Sequence, residues 1–267
     1  MKPTSLFRSF LLLSACVLAG CHKDDNGPAP PPDKNCRIAV ATAKSGATTT
    51  TYTLSYDNDG RLSKVGMDDF YKMRYLFNYT QSQFTRDGYS DHWDGQLTNQ
   101  LRAELNSMGL PTLIVEKNYD YTPSGQPLKL MSVFTTTYEY NSKGELQLSA
   151  RKYESIGNPA SNSTTTTTYT WANGNVVKQE VSGGGTGSFE YYTDRPAQKA
   201  GAVSFDNLMS TGVNPIDNKN LVKSLTDGTT IINVNYDYDE TGKIKTATLT
   251  GSTAAVNREM RYQYSCN

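Results

Sequence analysis

The chain has few histidines and cysteines, no surplus of basic charge and only one long apolar run. Two of its 267 residues are His and four are Cys, and 26 Lys and Arg balance 26 Asp and Glu. The charge balance argues against a nucleic-acid partner, and a single apolar run argues against a further spanning helix. Only His92 lies beyond the first 22 residues, so a cysteine–histidine nucleophile pair is not expected. The sequence also has no P-loop, dinucleotide fingerprint or serine-nucleophile elbow.

The one apolar run lies at the N-terminus, where Lys2 and Arg8 accompany the apolar residues 10–18. Leu-Ala-Gly then leads directly into Cys21, which completes the pattern of a secretory signal. This ending resembles the bacterial lipoprotein box, in which the cysteine is acylated and becomes the first residue of the mature chain. We therefore predict a signal peptide at 1–20 and lipidation, for example by palmitate, of Cys21. The alternative is an ordinary signal peptide with an incidental cysteine.

A polar, proline-rich segment follows, and we predict that residues 21–35 form a lipid-anchored tether. Proline-rich chain is extended at about 3.1 Å per residue, so this segment would hold a domain up to roughly 40 Å from the membrane. Lys23-Asp24-Asp25 resembles the acidic export signal of surface-exposed Gram-negative lipoproteins, although a solvated linker explains it equally well. We expect membrane attachment through Cys21 at the outer membrane, and the sequence leaves the leaflet open.

Residues 36–267 are expected to form one all-β domain, because Thr and Tyr are abundant and Ala and Leu are sparse. An aromatic or aliphatic residue, turn-forming residues, glycine, a polar residue and an aliphatic residue recur in this order. The copies begin at Tyr56, Leu105, Tyr121, Tyr140, Trp171 and Tyr238. Glycine at a fixed place supplies the positive φ of a tight hairpin turn. Further turns are predicted at Asp87-Gly88, Asp94-Gly95, 183–187 and Asp227-Gly228.

Apolar and polar residues alternate on both sides of these turns, as in Tyr52, Leu54 and Tyr56. We predict an antiparallel β-meander of about a dozen strands, curled or barrel-like, because a large open sheet would leave two exposed edges. A sandwich is the other way to cover the apolar face. A membrane-spanning barrel would need an outward apolar band about 25 Å tall, whereas this apolar face is mainly tyrosine. We favour a barrel that lies outside the bilayer.

Two cysteines remain once Cys16 leaves with the signal peptide and Cys21 takes lipid. Cys36 and Cys266 stand at the two ends of the predicted domain. In an oxidising compartment we expect a disulfide between them, joining the first and last strands and favouring closure of the sheet. The alternative is two free thiols, because spacing alone does not establish disulfide geometry.

The unit at 56–62, Tyr-Asp-Asn-Asp-Gly-Arg-Leu, resembles the YD repeat of Rhs-type shell proteins. With the lipoprotein box, the tether and the segments at 214–216 and 220–224, the chain resembles an uncharacterised family of bacterial surface lipoproteins. That family is described as a domain of unknown function with a porin-like β-fold. The resemblance implies a curved or barrel-like sheet and no established activity. Rhs shells use many more copies to enclose a toxin, and no functional residue carries over.

A few polar and aromatic residues are candidates for ligand contact. The Asp-Asn-Asp-Gly at 57–60 lacks the spacing and terminal glutamate of a calcium loop and is better explained as a β-turn, so no metal or cofactor is predicted. The only histidine of the domain stands between carboxylates and a tryptophan, a pattern that fits a sugar or metal contact or a plain loop. Two other aromatic residues would stack on a sugar or fill the core. The candidate contacts are His92, Trp93, Trp171 and Tyr191.

These observations favour a non-enzymatic binding or interaction module at the cell surface, with a glycan or an outer-membrane protein as its partner. Two alternatives are a surface hydrolase that works through paired carboxylates and a purely structural envelope protein. An exposed aromatic strip would favour glycan binding, whereas buried carboxylates facing each other in a cleft would favour the enzyme.

Overall fold

A closed antiparallel β-barrel is formed by residues 36–122, 126, 128–199, 201, 205, 214–252 and 257–266, which the computed structural model describes. Residues 1–35, and with them Cys21 and the predicted signal and tether, lie outside the described residues. The strands are β1 (Cys36–Ser45), β2 (Thr48–Tyr56), β3 (Leu62–Asp68), β4 (Met73–Tyr79), β5 (Gln83–Ser90), β6 (Gln96–Leu105), β7 (Pro111–Asp120), β8 (Lys129–Tyr140), β9 (Leu146–Ser155), β10 (Ser163–Ala172), β11 (Asn175–Val181), β12 (Thr186–Pro196), β13 (Asn220–Thr226), β14 (Ile231–Tyr238), β15 (Ile244–Gly251) and β16 (Arg258–Cys266).

Each strand pairs with the next along the chain, and β16 pairs back onto β1 to close the barrel. The prediction of about a dozen strands was therefore wrong, since the described residues contain sixteen. The count was low because some hairpins turn without the expected glycine. Between β3 and β4 it is Lys72 that takes the positive φ, at 46°, and the β4–β5 turn contains no glycine at all.

Asp87-Gly88 was wrongly predicted as a turn, because both residues lie inside β5. Gly88 faces the barrel interior, where it pairs with Tyr75 of β4. A Cβ at this position would lie 2.8 Å from the Tyr75 ring and 3.3 Å from the Asn99 side chain. The glycine is therefore explained by close packing inside the barrel and not by a bend of the backbone.

The barrel interior holds an apolar core that lies mainly against β1–β5 and β13–β16. Strand alternation sends one side chain in two inward, so Val234 and Tyr236 are buried while their neighbours on β14 are exposed. The connection between β12 and β13 adds Phe205, which is fully buried and packs edge-on against Tyr52 and Tyr262, with ring centroids 5.7 and 5.4 Å away. This part of the interior is filled as a protein core and not as a pore.

The outward face of the barrel is mostly polar. Thr51, Thr53 and Ser55 of β2 point outward, and so do Asn233 and Asn235 of β14. Exposed, outward-facing charged side chains occur on strands all round the barrel, at Lys64, Arg102, Lys117, Lys152, Glu180, Glu190, Asp237 and Arg261. Among the described residues no helix is long and apolar enough to cross a membrane.

The two ends of the barrel differ, and we name them by the position of the chain. Cys36 begins β1 and Cys266 ends β16 at the same end, called here the terminal end, and the opposite end is called the distal end. A disulfide joins Cys36 to Cys266, so that prediction is confirmed.

Four turns at the terminal end share one hydrogen-bonding pattern. They span residues 57–61, 106–110, 141–145 and 239–243. In the turn that follows β8, the Asn141 N–H donates to the Glu145 carbonyl and the Gly144 N–H donates to the Asn141 carbonyl, both at 3.0 Å. The Asn141 Oδ1 accepts the Glu145 N–H at 3.0 Å. An Asp or Asn side chain thus accepts a backbone N–H of its own turn, and glycine supplies the positive φ, which is 81° at Gly144.

Candidate functional site

Five ring side chains form a continuous aromatic surface at the distal end, four of them exposed and Trp93 half-buried. We call it the distal aromatic strip, and it consists of Phe70, Tyr71, His92, Trp93 and Tyr121. The residues come from three loops, those between β3 and β4, β5 and β6, and β7 and β8. These loops are neighbours because the strands follow one another around the barrel, although 51 positions separate the outermost two residues in sequence.

Neighbouring rings of the strip are in contact. Phe70 lies 4.5 Å from His92 and 5.2 Å from Tyr71, measured between ring centroids. Tyr71 and Trp93 are 5.7 Å apart, and the same distance separates Trp93 from Tyr121. The rings are tilted or edge-on to one another, an arrangement that aromatic pairs favour and that leaves ring faces and edges open to solvent.

Hydrogen bonds tie the three loops together. The Tyr71 carbonyl accepts the Ser90 hydroxyl at 2.7 Å and the His92 N–H at 3.4 Å. Gln96 Nε2 donates to the Thr122 hydroxyl at 2.7 Å, and Gln96 Oε1 accepts the Thr122 N–H at 3.1 Å. Because these contacts already hold the rings in place, binding on the strip would require little further ordering of the chain.

Exposed apolar side chains are concentrated at the distal end. Phe70 is 72% exposed, a value far above that of an aromatic side chain in a core. Seven of the eight large hydrophobic side chains that are exposed among the described residues lie at this end. They are Phe70, Tyr71, Tyr121, Leu128, Met131, Ile156 and Ile231, whereas Met108 lies at the terminal end. An uneven distribution of this kind is typical of an interaction surface.

The structure separates the four candidate contacts predicted from sequence. It places His92 and Trp93 in the distal aromatic strip. Trp171 lies at the terminal end, where its Nε1–H donates to the Leu146 carbonyl at 2.7 Å, whereas Tyr191 faces the barrel interior from the middle of β12 and its hydroxyl donates to the Val176 carbonyl at 2.6 Å. At three other places a tyrosine hydroxyl near the end of one strand donates to a backbone carbonyl near the start of the neighbouring strand. The pairs are Tyr56 with Ile38, Tyr140 with Pro111 and Tyr264 with Ile244.

Sequence reasoning missed Phe70, Tyr71 and Tyr121. The available signal was the pair Phe70-Tyr71 between a polar Asp69 and Lys72, since two adjacent aromatic residues in a loop have no core to enter. Tyr121 was assigned instead to a hairpin unit whose residues 123–125 lie outside the described residues.

The barrel interior also contains a cavity of about 620 Å³. It lies against β6–β13, on the side away from most of the core, and residues of the connection before β13 form its floor, among them Pro215 and Asn218. Four inward positions of β8–β10 carry small hydroxyl side chains, which leave this space open between larger inward residues such as Tyr138 and Arg151. Those positions are Thr136, Ser149, Thr165 and Thr167.

Two buried or inward-facing arginines have different partners. Arg86 on β5 is 4% exposed, forms an ion pair with Glu116 at 3.2 Å and donates to the Asn99 side chain. Asn99 Nδ2 in turn donates to Glu116 at 2.7 Å. Arg151 on β9 lines the cavity, and its guanidinium carbon lies 4.1 Å from the Phe134 ring centroid. Arg151 forms no ion pair with a described carboxylate, and it remains solvent-exposed although it faces inward.

Phenol groups add hydrogen-bonding capacity to the cavity wall. The Tyr169 hydroxyl is 3.1 Å from the Ser149 hydroxyl. Burial, with a smaller effect from Tyr169, raises the pKa of Tyr138 to about 12, so its hydroxyl stays protonated at neutral pH. Among the described residues no group of three or more His, Cys, Asp or Glu side chains is placed to hold a metal ion.

Comparisons with known proteins bear on the fold. No family model matches the chain, and no curated protein matches it. A porin-like protein from Bacteroides uniformis is 13% identical with a TM-score of 0.55, over 90% of this chain and 100% of that chain. A porin-like protein from Bacteroides vulgatus is 14% identical with a TM-score of 0.39, over 85% and 98% of the two chains. A protein with unknown function from Bacteroides fragilis is 9% identical with a TM-score of 0.32, over 51% and 93%.

The match to the Bacteroides uniformis protein confirms a porin-like β-fold for this chain. The distribution of polarity, however, is the reverse of that in a lipid-embedded barrel. A membrane-spanning barrel needs an apolar band about 25 Å tall on its outside and is polar within. Here the outside carries charges such as Lys117, Lys152 and Asp237, and much of the inside is an apolar core. These charges interrupt the outward face of the described strands, which therefore differs from the continuous apolar band of such a barrel.

Proposed function

We propose that this protein is a lipoprotein of the bacterial outer membrane whose barrel is a non-enzymatic binding module for a glycan. The observation that carries the proposal is the distal aromatic strip, which presents contacting rings, four of them exposed and Trp93 half-buried, on loops held by hydrogen bonds. Sugar rings stack their apolar C–H faces on aromatic rings, and the spacing of 4.5–5.7 Å between neighbouring rings is close to the length of one sugar unit.

The position of the strip supports display at the cell surface. A lipid on Cys21 and the tether at 21–35 would enter the barrel at Cys36, at the terminal end. The strip lies at the other end of strands seven to ten residues long, which at about 3.3 Å per residue holds it roughly 20–30 Å farther from the membrane. The rings thus point away from the lipid anchor, as binding from outside the cell requires.

Binding of the full-length lipoprotein in detergent micelles to an array of bacterial and host glycans tests this proposal. The test variant is Phe70→Ala/Trp93→Ala, and the control is Ile156→Ala/Ile231→Ala, which removes exposed apolar side chains at the same end but outside the strip. We expect the wild type and the control to bind a common set of glycans and the strip variant to lose them. Equal binding by all three proteins, or no glycan bound by the wild type, would contradict the proposal.

A second candidate function is docking of a partner outer-membrane protein. The observation that favours it is the exposed aliphatic side chains of Leu128, Met131 and Ile156, which lie beside the strip and suit a protein surface better than a sugar. Cross-linking of the full-length lipoprotein in intact cells, followed by mass spectrometry, tests it. A stoichiometric partner that is lost in a Leu128→Ser/Met131→Ser/Ile156→Ser variant, but retained in the strip variant, would favour docking over glycan binding.

The hydrolase alternative has less support. Enzymes of that class place two carboxylates across a cleft, and among the described residues that line the cavity Glu116 is the only acidic side chain. Its charge is already neutralised by Arg86.

We also propose that the barrel arose from YD-like hairpin units, as the resemblance to surface lipoproteins implies. The shared hydrogen bonds of the turns at 57–61, 106–110, 141–145 and 239–243 support a repeated unit. Acylation of Cys21 belongs to the same proposal, and metabolic labelling with a fatty-acid analogue tests it. Label that persisted in a Cys21→Ala variant would contradict it.

A further inference from the structure

We propose that the interior cavity is a second binding site, independent of the distal aromatic strip, for a small sugar acid whose carboxylate pairs with Arg151. The proposal goes beyond the proposed function, because it concerns a different site and a small ligand. It rests on the volume of the cavity, on the one cation among its described lining residues and on its hydroxyl-rich wall.

The size of the cavity suits a small ligand. A volume of about 620 Å³ lies within the range of about 300–1,000 Å³ that is typical of ligand pockets. The space follows from the inward Thr and Ser side chains of β8–β10, and the floor of the cavity is held by Asn218. Its Oδ1 accepts the Val176 N–H at 2.9 Å and lies 3.2 Å from the Tyr191 hydroxyl. The floor is thus fixed to the barrel wall on two strands.

Arg151 is suited to binding a carboxylate. One face of its guanidinium lies on the Phe134 ring, which fixes its plane while leaving its N–H groups free to donate at the edge. Arg86, by contrast, is occupied by Glu116 and Asn99. The charged side chains among the described residues that line the cavity are Arg151 and Glu116, and Arg86 holds the Glu116 carboxylate, so Arg151 is the group available to an incoming anion.

The remaining wall matches a hydroxylated ligand. Hydroxyl groups are supplied by Thr136, Thr165, Thr167, Tyr138 and Tyr169, all of which line the cavity. On another part of the wall, Phe189 and Val222 present apolar surface to the same space. Hydroxyl donors and acceptors, an apolar face and one cation together complement the hydroxyls, the C–H face and the carboxylate of a sugar acid.

Calorimetric titration of the full-length protein in detergent micelles with D-glucuronate, D-glucose and acetate tests the proposal. We expect glucuronate to bind about tenfold or more tightly than either other probe, because only glucuronate offers both the carboxylate and the hydroxyls. Glucose that binds as tightly as glucuronate would overturn the role of Arg151. Acetate that binds as tightly would overturn the assignment to a sugar, and failure of glucuronate to bind would overturn the site.

Matched variants locate the site. Arg151→Gln should weaken glucuronate binding about tenfold or more, whereas Lys152→Gln should change it by less than about twofold. Lys152 is the next residue of β9, faces outward and pairs with Glu154 at 2.9 Å, so it is a control for charge and for strand stability. Circular dichroism checks that both variants fold. Wild-type affinity in a folded Arg151→Gln protein would overturn the proposal.

Two further variants test whether the ligand occupies the cavity itself. Thr165→Phe keeps Arg151 but fills the cavity, and we expect it to abolish glucuronate binding. Unchanged binding in a folded Thr165→Phe protein would place the ligand elsewhere and contradict the proposal. Phe70→Ala/Trp93→Ala removes the strip and should keep wild-type glucuronate binding, so failure of the glycan proposal and failure of this one give different results.

Discussion

Cys36 and Cys266 are 230 positions apart in the sequence and are bonded to each other at the terminal end of the barrel. The bond closes the one seam at which the strands are not neighbours in sequence, between β1 and β16. The same seam carries backbone pairing along its length, for example between Ala43 and Met260. Two independent interactions therefore hold the barrel closed, one covalent and one made of hydrogen bonds.

Removing the disulfide should lower stability without opening the barrel. In the chain-entropy model, a loop this long contributes about 5.5 kcal/mol to the free energy of unfolding. We expect Cys36→Ser/Cys266→Ser to lose up to that amount and to keep the β-rich circular dichroism spectrum, because the pairing of β1 with β16 remains. Urea unfolding of the variant, compared with wild type before and after reduction, measures the loss. An unchanged urea midpoint in both comparisons would contradict the prediction.

Much of the barrel could be predicted from local sequence. Alternation such as Ile232, Val234 and Tyr236 identified strands, because one face of every strand points inward. Turns were identified by a glycine that follows Asp or Asn, because the Asp or Asn side chain accepts backbone N–H groups of its own turn, as Asn141 does. The disulfide could be predicted because the predicted signal peptide and the predicted lipidation of Cys21 leave only Cys36 and Cys266 to pair.

Other features depend on closure of the barrel and have no local signal. Thr165 and Thr167 belong to a run of five threonines, and only the closed barrel decides that these two face a cavity. The distal aromatic strip combines loops that become neighbours only when β3–β8 stand side by side. Gly88 was predicted as a turn residue because nothing near it in the sequence shows that it packs against Tyr75, which comes from another strand.

Gly88→Ala should destabilise the barrel, whereas Gly66→Ala should not. A Cβ at Gly88 would lie 2.8 Å from the Tyr75 ring, and overpacking of this kind costs about 1–3 kcal/mol. Gly66 lies in β3 with nothing within 4 Å of an added Cβ, so it is a matched control for the glycine-to-alanine change. Thermal unfolding of both variants checks the prediction. Equal losses would show that contact with Tyr75 does not explain Gly88.

Asp239→Ala should weaken the turn between β14 and β15. The Asp239 Oδ1 accepts the Thr241 and Lys243 N–H groups at 2.9 and 3.0 Å, and loss of a comparable side-chain cap costs about 1 kcal/mol. Asp239→Asn keeps an acceptor, as Asn141 does in its own turn, and should stay within about 0.5 kcal/mol of wild type near neutral pH. Urea unfolding midpoints of the two variants measure these losses.

The pH dependence of stability separates the contribution of the Asp239 charge from that of the hydrogen bonds in the same turn. Burial alone would raise the pKa of Asp239, but hydrogen bonds from Thr241 and Lys243 hold that pKa below its ordinary value. A lowered folded-state pKa contributes stability above the unfolded pKa and loses it as the pH falls through the folded value. Wild type should therefore lose more stability than Asp239→Asn between about pH 7 and about pH 3. Parallel losses in the two proteins would contradict this.

Tyr138→Phe should make the barrel less sensitive to alkali. Burial raises the pKa of Tyr138 from 10.0 to about 12, so the folded protein keeps the phenol neutral where the unfolded chain ionises it. A raised pKa contributes stability below the unfolded value and loses it as the pH rises through the folded value. Wild type should lose stability more steeply than Tyr138→Phe between pH 10.0 and about 12, as measured by urea unfolding midpoints. Tyr121→Phe, at an exposed position, is the control and should follow wild type. If Tyr138→Phe also followed wild type, the buried phenol would have no part in alkaline unfolding.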